Sequence, residues 1–431
     1  MANIILVAGL GFGDEGKGGV VDFLTRKHDA KLVCRYNGGS QAAHNVITPD
    51  GRHHTFSQFG SGTFVEGCRT HLSRFMLVQP GSMLSEARHL GEVGVSDAFD
   101  RVTVDSNAPV TTRFHMAVNR LRELSRSGAR HGSCGMGIGE TVVDHLDLGG
   151  DILFVGDLTD ATVTRRKLQE LQARNRAKVA HLIKDILPSP TRDAEWGWLD
   201  KPVGIDEEAL TCRLFAGKIK VVEPEWLDGE LCREGTVIFE GAQGILLDQF
   251  KGFMPYCTRS TISFANAGCL NAALGEVTRV GVVRSYSTRH GAGPFPTEDD
   301  SLREGRRELH NSSDDPWQQG FRLGHFDMVL LRYAVEALGG VDQIVLTHMD
   351  KRPAEQKICT SYDGLPRLVQ PASLGQQFSL ADFLMQAKPV YTGAADLVEA
   401  IERGVECPVT LLSYGTTALD KRLPEERFVA K

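Results

Sequence analysis

The chain opens on a continuous β-prone apolar run, Ile4 to Ala8, which stops at Gly9 and gives way to Gly11-Phe12-Gly13-Asp14-Glu15-Gly16-Lys17-Gly18. No other junction constrains the fold as much. An unbroken apolar strand is buried on both faces, the habit of parallel sheets covered by helices. A glycine-rich turn leaving such a strand predicts a helix from about Lys17. The spacing Gly11-x-x-x-x-Gly16-Lys17 is that of a Walker-type loop, in which backbone N–H groups and a lysine surround phosphate oxygens at a helix N-terminus. Two features depart from the ordinary loop. Gly18 stands where a hydroxyl would meet magnesium, and Asp14 sets a carboxylate beside the phosphates. Such a carboxylate is tolerable if a metal intervenes, or if it removes a proton from a second substrate. Taken alone, the segment also has a bland reading as a tight turn packed on its strand.

Short apolar runs recur at 237–239, 281–283, 343–346 and 409–412, each leading into a polar or glycine-containing loop. They predict an α/β fold, a mostly parallel central sheet with helices on both faces. Helical periodicity runs from Thr162 to Leu187, and Val118, Leu121 and Leu124 mark an earlier amphipathic stretch. Pro188 to Pro202 reads as a connection. With no repeat and no clear linker, one domain over 1–431 is expected, carrying helical and loop insertions near 90–230 and 300–325.

Composition narrows the function. With 41% apolar and 24% charged side chains and a formal net charge of −7, the 431 residues suit a folded protein with no basic field for nucleic acid. Small anions fit better than polymers. The nine cysteines never form Cys-x-x-Cys, so neither a disulfide framework nor a zinc site is indicated, and a reducing cytoplasm is expected. No apolar run reaches membrane-spanning length, and the first residues lack signal-peptide character.

Further polar segments follow the expected strands: Arg35-Tyr36-Asn37-Gly38-Gly39 with His44, Glu240 to Gly244, Ser287 to Glu298, and Thr347 to Asp350. In an open parallel sheet such loops converge on the ligand crevice. The GDEGKG loop, EGAQG-x-LLD at Glu240 to Asp248, YSTR-x-GAGPFPTE at Tyr286 to Glu298 and LT-x-x-D at Leu346 to Asp350 occur in that order. In these motifs the chain resembles the adenylosuccinate synthetase family over nearly its whole length.

The resemblance implies a P-loop-like fold and a GTP-dependent ligase. A base takes the N1 proton of a 6-oxopurine nucleotide, the 6-oxygen takes the γ-phosphoryl group of GTP, and the amine of L-aspartate then displaces phosphate. By this likeness Asp14 is the base, His44 assists phosphoryl transfer, and Gln243 holds the 6-oxo group. Gly13, Glu15, Gly16, Lys17 and Gly18 would hold GTP, Lys17 with a catalytic part as well, while Asp350 reads guanine with His348, Ser413 and Gly415 nearby. Asn37, Gln41, Cys134, Thr258 and His290 would join Gln243 around the acceptor, and Mg²⁺ would fall to Asp14 and Ala43. A homodimer is implied as well.

The substrate loops depart from the family pattern. Where the family grips a dicarboxylate with paired threonines and an arginine run, this chain reads Pro316 to Asp327, with Gln319 and Phe321 in place of two arginines and only Arg322 remaining. Cys134 stands for a phosphate-binding threonine, Met136 for an arginine, Gln41 for an asparagine, Ala43 for a glycine, His290 for a valine and His348 for a lysine. The arginine that enters the neighbouring subunit has no clear counterpart near His145 to Leu148. Losing a charge-assisted contact to a carboxylate costs roughly 1.5–3 kcal/mol, a tenfold to hundredfold weakening. Three readings follow: ordinary adenylosuccinate synthesis with Arg289 or Arg322 supplying the lost contacts, a divergent enzyme with another acceptor or amine, or a GTP-binding switch without ligase chemistry. Asp14 inside the phosphate loop and the Gln243 segment weigh against the switch.

Overall fold

The computed structural model describes residues 1–270, 276–303, 317, 320–393 and 396–424. Among these, ten strands form one sheet, in the order Lys421–Arg422, Val409–Ser413, Gln343–Thr347, Val277–Arg284, Asn3–Gly9, Thr236–Gly244, Leu32–Arg35, Arg69–Leu72, Val102–Asp105 and Lys220–Val222. All neighbours run parallel except the edge pair Val409–Ser413 and Lys421–Arg422. Each apolar run of the sequence lies in one of these strands.

The central strand shows why its sequence is apolar throughout. Successive side chains of a strand point to opposite faces. Ile5 and Val7 pack with Val20, Val21 and Leu24 of the helix Lys17–Lys27. Ile4, Leu6 and Ala8 join the opposite core with Val329, Leu330 and Ala334 of the helix Met328–Leu338. Helices thus cover both faces, as expected. Because the strands are parallel, Gly9, Arg35, Gly244, Arg284, Thr347 and Ser413 all end at one edge of the sheet, and the loops that follow them meet there.

A separate helical core packs Phe114, Val118, Leu121, Leu168, Leu171, Leu199 and Phe215. Two sequence expectations change in it. The helix predicted over Thr162 to Leu187 stops at Val179, and only a short 3₁₀ turn, Ile183–Asp185, follows. The stretch read as a connection is a helix, Pro190–Asp200. Its prolines are start signals: Ser189 accepts the N–H of Arg192 at 3.2 Å as N-cap, and Pro190 occupies the first turn, where its missing donor costs nothing.

This helical layer also buries Glu208, which is 1% exposed and accepts a long hydrogen bond, 3.3 Å, from the N–H of Arg113. Burial pushes its carboxyl up to about 7 from an ordinary 4.5, against the pull of Arg113. The folded state therefore holds the proton more tightly than the unfolded chain, so stability falls as pH rises from about 4.5 to about 7 and the cost persists above. A shift of that size corresponds to about 3 kcal/mol. Glu208→Gln should raise the melting temperature at pH 8 and leave it nearly unchanged at pH 5. Equal shifts at both pH values would remove Glu208 as the source.

Candidate active site

The turn after the central strand is held from beneath by Glu15. Its carboxylate accepts the N–H groups of Gly11 and Gly13, each at 2.9 Å, and Lys17 Nζ at 2.5 Å. Space for it exists because two glycines face it: a Cβ on Gly9 would lie 2.3 Å from Oε2, and one on Gly244 2.3 Å from Oε1 and 2.1 Å from the carbonyl oxygen of Gly11. Glu15, expected among the GTP-binding residues, turns its side chain inward and braces the loop. Gly13 and Gly16 take the left-handed backbone, φ +96° and +89°, and the helix begins at Lys17 as predicted. A Cβ on Gly18 would lie 2.9 Å from both the carbonyl carbon and Cβ of His44, so the start of this helix abuts the histidine.

His44 begins the strand His44–Ile47 and is buried. Its Nδ1 lies 2.6 Å from Glu240 Oε1. Glu240, midway along the strand Thr236–Gly244, also accepts the N–H of Ser61 at 2.8 Å and the Ser61 hydroxyl. Burial would raise its carboxyl, but the buried Arg35 and His44 hold it at about 2. Burial also drives His44 below the usual histidine range, against Glu240. Because an ionised carboxylate only accepts, Nδ1 carries the proton and the ring's orientation is set. Donation from Nε2 to a phosphate oxygen then needs a doubly protonated ring, which a polyanionic ligand favours.

Asp14, Gln243 and His348, each singled out from sequence, take left-handed backbone with φ of +61°, +64° and +57°. Side-chain-bearing residues hold such angles at a cost on the order of 1–3 kcal/mol, and they gather where ligands are gripped. Asp14 is 36% exposed, and its Oδ2 lies 2.9 Å from His290 Nε2. Desolvation works against ionisation, yet the His290 hydrogen bond and the charges of His290, Arg284 and Lys17 hold the carboxyl at about 2. Its Oδ1 makes no hydrogen bond among the described residues. Thr347 Oγ1 donates to the carbonyl of Glu15 at 2.6 Å, and a Cβ on Gly16 would sit 3.3 Å from His348 Cε1, so the Leu346 to Asp350 segment touches the phosphate loop. Asp350 is exposed in the turn after that strand. On the neighbouring strand end, Ser413 Oγ donates to the carbonyl of Gly415 at 3.1 Å.

On the acceptor side, the expected residues divide. Asn37 is occupied structurally: its Oδ1 accepts the N–H of Ala242 at 2.7 Å and its Nδ2 donates to the Thr261 carbonyl at 3.0 Å. Gln243 Oε1 and both ends of the Gln41 amide are buried without a hydrogen-bond partner. Folded proteins ordinarily satisfy such groups, so these atoms await a ligand or water. Cys134 lies in the loop before the helix Ile138–Leu148, whose first residue approaches Gly39: a Cβ there would meet Ile138 Cδ1 at 2.6 Å. Thr258 is anchored by its N–H to the Leu247 carbonyl at 2.9 Å, and Ala43 is exposed beside His44. Gln319 lies outside the described residues.

The arginines expected to replace the family's dicarboxylate grip are engaged elsewhere. Arg289, 2% exposed, donates to the carbonyls of Ala292, Pro294 and Tyr256 at 3.2, 2.9 and 3.1 Å. Arg322 gives Nε and Nη2 to Glu298 at 2.9 and 2.5 Å, and Nη1 to the carbonyls of Gly291 and Gly293 at 3.1 and 2.9 Å. Both fasten their own loop. Phe321, the other described residue of the amine loop, packs at a tilt against His290 with ring centroids 4.8 Å apart.

Sequence reasoning gave no role to Glu240, Ser61, Thr347 or Arg284, whose Nη1 donates to the Asp14 carbonyl at 3.1 Å. Glu240 and Thr347 stood in the quoted motifs, but only the fold shows their partners. For Mg²⁺, among the described residues no group of three or more His, Cys, Asp or Glu is placed to hold an ion. One uncommitted carboxylate oxygen on a phosphate loop nonetheless suits a cation that binds through one carboxylate and substrate phosphates.

A parallel sheet with a phosphate loop at its carboxyl edge, a buried His–Glu pair and left-handed polar residues around them define a nucleotide-using enzyme of the phosphate-loop class. A family model described as adenylosuccinate synthetase matches residues 6–420. The chain belongs to the adenylosuccinate synthetase family and is a GTP-dependent ligase that forms a carbon–nitrogen bond. An adenylosuccinate synthetase from Marinomonas sp. (strain MWYL1) is 32% identical over 445 residues, covering 96% of both chains. The fully ligated adenylosuccinate synthetase from Plasmodium falciparum matches with a TM-score of 0.76 at 21% identity, over 98% of this chain and 100% of that one. The succinoaminodeoxyadenylate synthetase of cyanophage S-2L, bound to dGMP and dATP, matches with a TM-score of 0.62 at 18% identity, over 98% and 95%. At these identities the two structures speak to the fold.

Proposed function

We propose that one domain spanning 1–431 uses GTP to activate the 6-oxo group of a purine nucleotide at this site and then exchanges the phosphate for an amine. The observation that carries this reading is Asp14: an ionised carboxylate on the phosphate loop, with one oxygen uncommitted, at the same sheet edge as the His44–Glu240 pair and the unpartnered Gln243 Oε1. Asp14 takes the N1 proton, and the electron pair moves onto the 6-oxygen. That oxygen bonds to the γ-phosphorus as the bond to the bridging oxygen breaks and GDP leaves. Lys17 and the N–H groups around Gly16 to Gly18 neutralise charge on the phosphates, and His44 donates to an oxygen gaining charge. Gln243 orients the 6-oxo group, while Asp350, with Ser413 and Gly415, selects guanine. The amine then bonds to C6 and phosphate departs. Mg²⁺, bound through Asp14, the main chain at Ala43 and the phosphates, would supply further charge neutralisation. The proposed setting is the cytoplasm, as the cysteine pattern suggests, and the proposed assembly a homodimer, on the family's likeness.

A second reading, a changed amine or acceptor, is favoured by the engagement of Arg289 and Arg322. Neither is available to grip a dicarboxylate. The cyanophage enzyme of the same fold binds dGMP, which adds guanine nucleotides to the acceptors worth testing.

The test pairs GTP and Mg²⁺ with IMP, GMP or dGMP, each with L-aspartate, glycine or ammonia. GDP and phosphate should appear only with an acceptor present, together with a product of mass equal to nucleotide plus amine minus water. Fast turnover of IMP with aspartate supports the ordinary reaction; turnover with another pair supports the divergent one. GTP binding without acceptor-dependent phosphate release from any pair would sink the ligase reading in favour of a switch.

A further inference from the structure

We propose that His290 is a positioning residue that fixes the Asp14 carboxylate for proton abstraction, with Phe321 as the wall that keeps His290 in place; this rests on the reading of Asp14 as the base. Two positions that looked like unrelated departures in the sequence form one unit in the structure. The strand Ser287–His290 pairs antiparallel with Phe321–Gly324, and the register sets His290 directly opposite Phe321. Directly opposed side chains on one face of such a ribbon are close enough to pack. Their rings do pack, with centroids 4.8 Å apart and planes at 55°. From that seat His290 reaches Asp14, Nε2 to Oδ2 at 2.9 Å. The contact is an ion pair when the ring is protonated, and among the described residues the imidazole makes no hydrogen bond elsewhere.

The ribbon that delivers His290 is rigidly tied. Arg289, one residue away, holds three carbonyls, and Arg322, beside Phe321, holds Glu298 and two more. Gly293, at φ +109°, completes the fastening, because a Cβ there would lie 2.3 Å from Arg289 Nη2. The arginines of this loop therefore fix the strand pair on which His290 and Phe321 sit.

Asp14 needs such support. Its side chain is 36% exposed and stands on left-handed backbone at φ +61°, so nothing else shown in the loop restrains the carboxylate. A base works only when its oxygen lies within hydrogen-bond reach of the proton it removes, and small misplacements cost large factors in rate. With Oδ2 engaged by His290, Oδ1 is the oxygen left to the ligands, the cation and the acceptor's N1 proton alike. The gain is one of orientation, not of base strength, because a donor to a carboxylate makes it a weaker base.

The test uses the acceptor–amine pair that turns over fastest with the unmodified protein. His290→Val removes the donor, His290→Gln retains one, and Phe321→Leu removes the aromatic wall. His290→Val should lower kcat roughly tenfold to a hundredfold, leaving the GTP dissociation constant and the melting temperature unchanged. His290→Gln should recover part of the loss. Phe321→Leu should lower kcat by less, and the double variant His290→Val with Phe321→Leu should be no worse than His290→Val alone. The proposal is overturned if His290→Val turns over at the parent rate, if its loss is matched by an equal loss of GTP affinity, or if His290→Gln is no better than His290→Val. Full turnover of Asp14→Asn would instead remove the base reading, and the proposal with it.

Discussion

Asp14→Asn should lower acceptor-dependent turnover by roughly a hundredfold to ten-thousandfold, the range that a positioned general base contributes, with GTP binding retained. Asparagine matches the size of aspartate and is among the few side chains that tolerate left-handed backbone, so φ +61° at this position is not endangered. Its carbonyl can still accept from His290. What disappears is the ionised oxygen held at about 2, the group able to take the N1 proton. Phosphate release in the presence of acceptor reports the chemical step, and a calorimetric titration with GTP reports the cradle. Normal turnover in this variant would mean that another group removes the proton.

The second large effect is structural. Gly244→Ala should abolish detectable GTP binding and lower the melting temperature. Gly244 has φ −120° and ψ 148°, which any residue adopts, so its backbone conformation has no cost for alanine. The cost is contact. The new Cβ would lie 2.1 Å from the Gly11 carbonyl oxygen, 2.5 Å from the Gly13 nitrogen and 2.3 Å from Glu15 Oε1. Two of these are backbone atoms of the phosphate loop, and the third belongs to a carboxylate held by two N–H groups and a lysine. Relief requires the loop to lift from the sheet. Overpacking of this kind costs about 1–3 kcal/mol or more, and the displaced N–H groups no longer converge on one phosphate. Gly229, in the helix Glu225–Leu231, has nothing within 4 Å of a Cβ; Gly229→Ala is the control and should be neutral or slightly stabilising. A Gly244→Ala protein that binds GTP at parent affinity would show that the loop is not supported by this contact.

Much of the frame was legible before the structure. The apolar runs at 4–8, 237–239, 281–283, 343–346 and 409–412 all lie in strands of one sheet, and Lys17 begins the helix. The helical layer was less legible. Pro190 looked like an interruption because proline both breaks helices and begins them, and only the Ser189 cap distinguishes the two. Side-chain roles were least legible. Asn37 was expected to face a ligand, yet both ends of its amide serve neighbouring loops. Glu15 lies under the phosphate loop because of space left by Gly9 and Gly244, the second of which is more than two hundred positions away in the chain.

The sequence by itself determined the sheet and its working edge. Continuous apolar runs and the placement of glycine are local signals, and parallel strands send their terminal loops to one side, so Asp14, His44, Gln243 and Asp350 had to gather there. The tertiary structure alone decided which of those groups are available for chemistry. A guanidinium or carboxylate is committed or available according to neighbours brought from distant parts of the chain, as with Arg289 and Tyr256 or Asp14 and His290. No periodicity encodes such neighbours; strand register and the close approach permitted by glycines do.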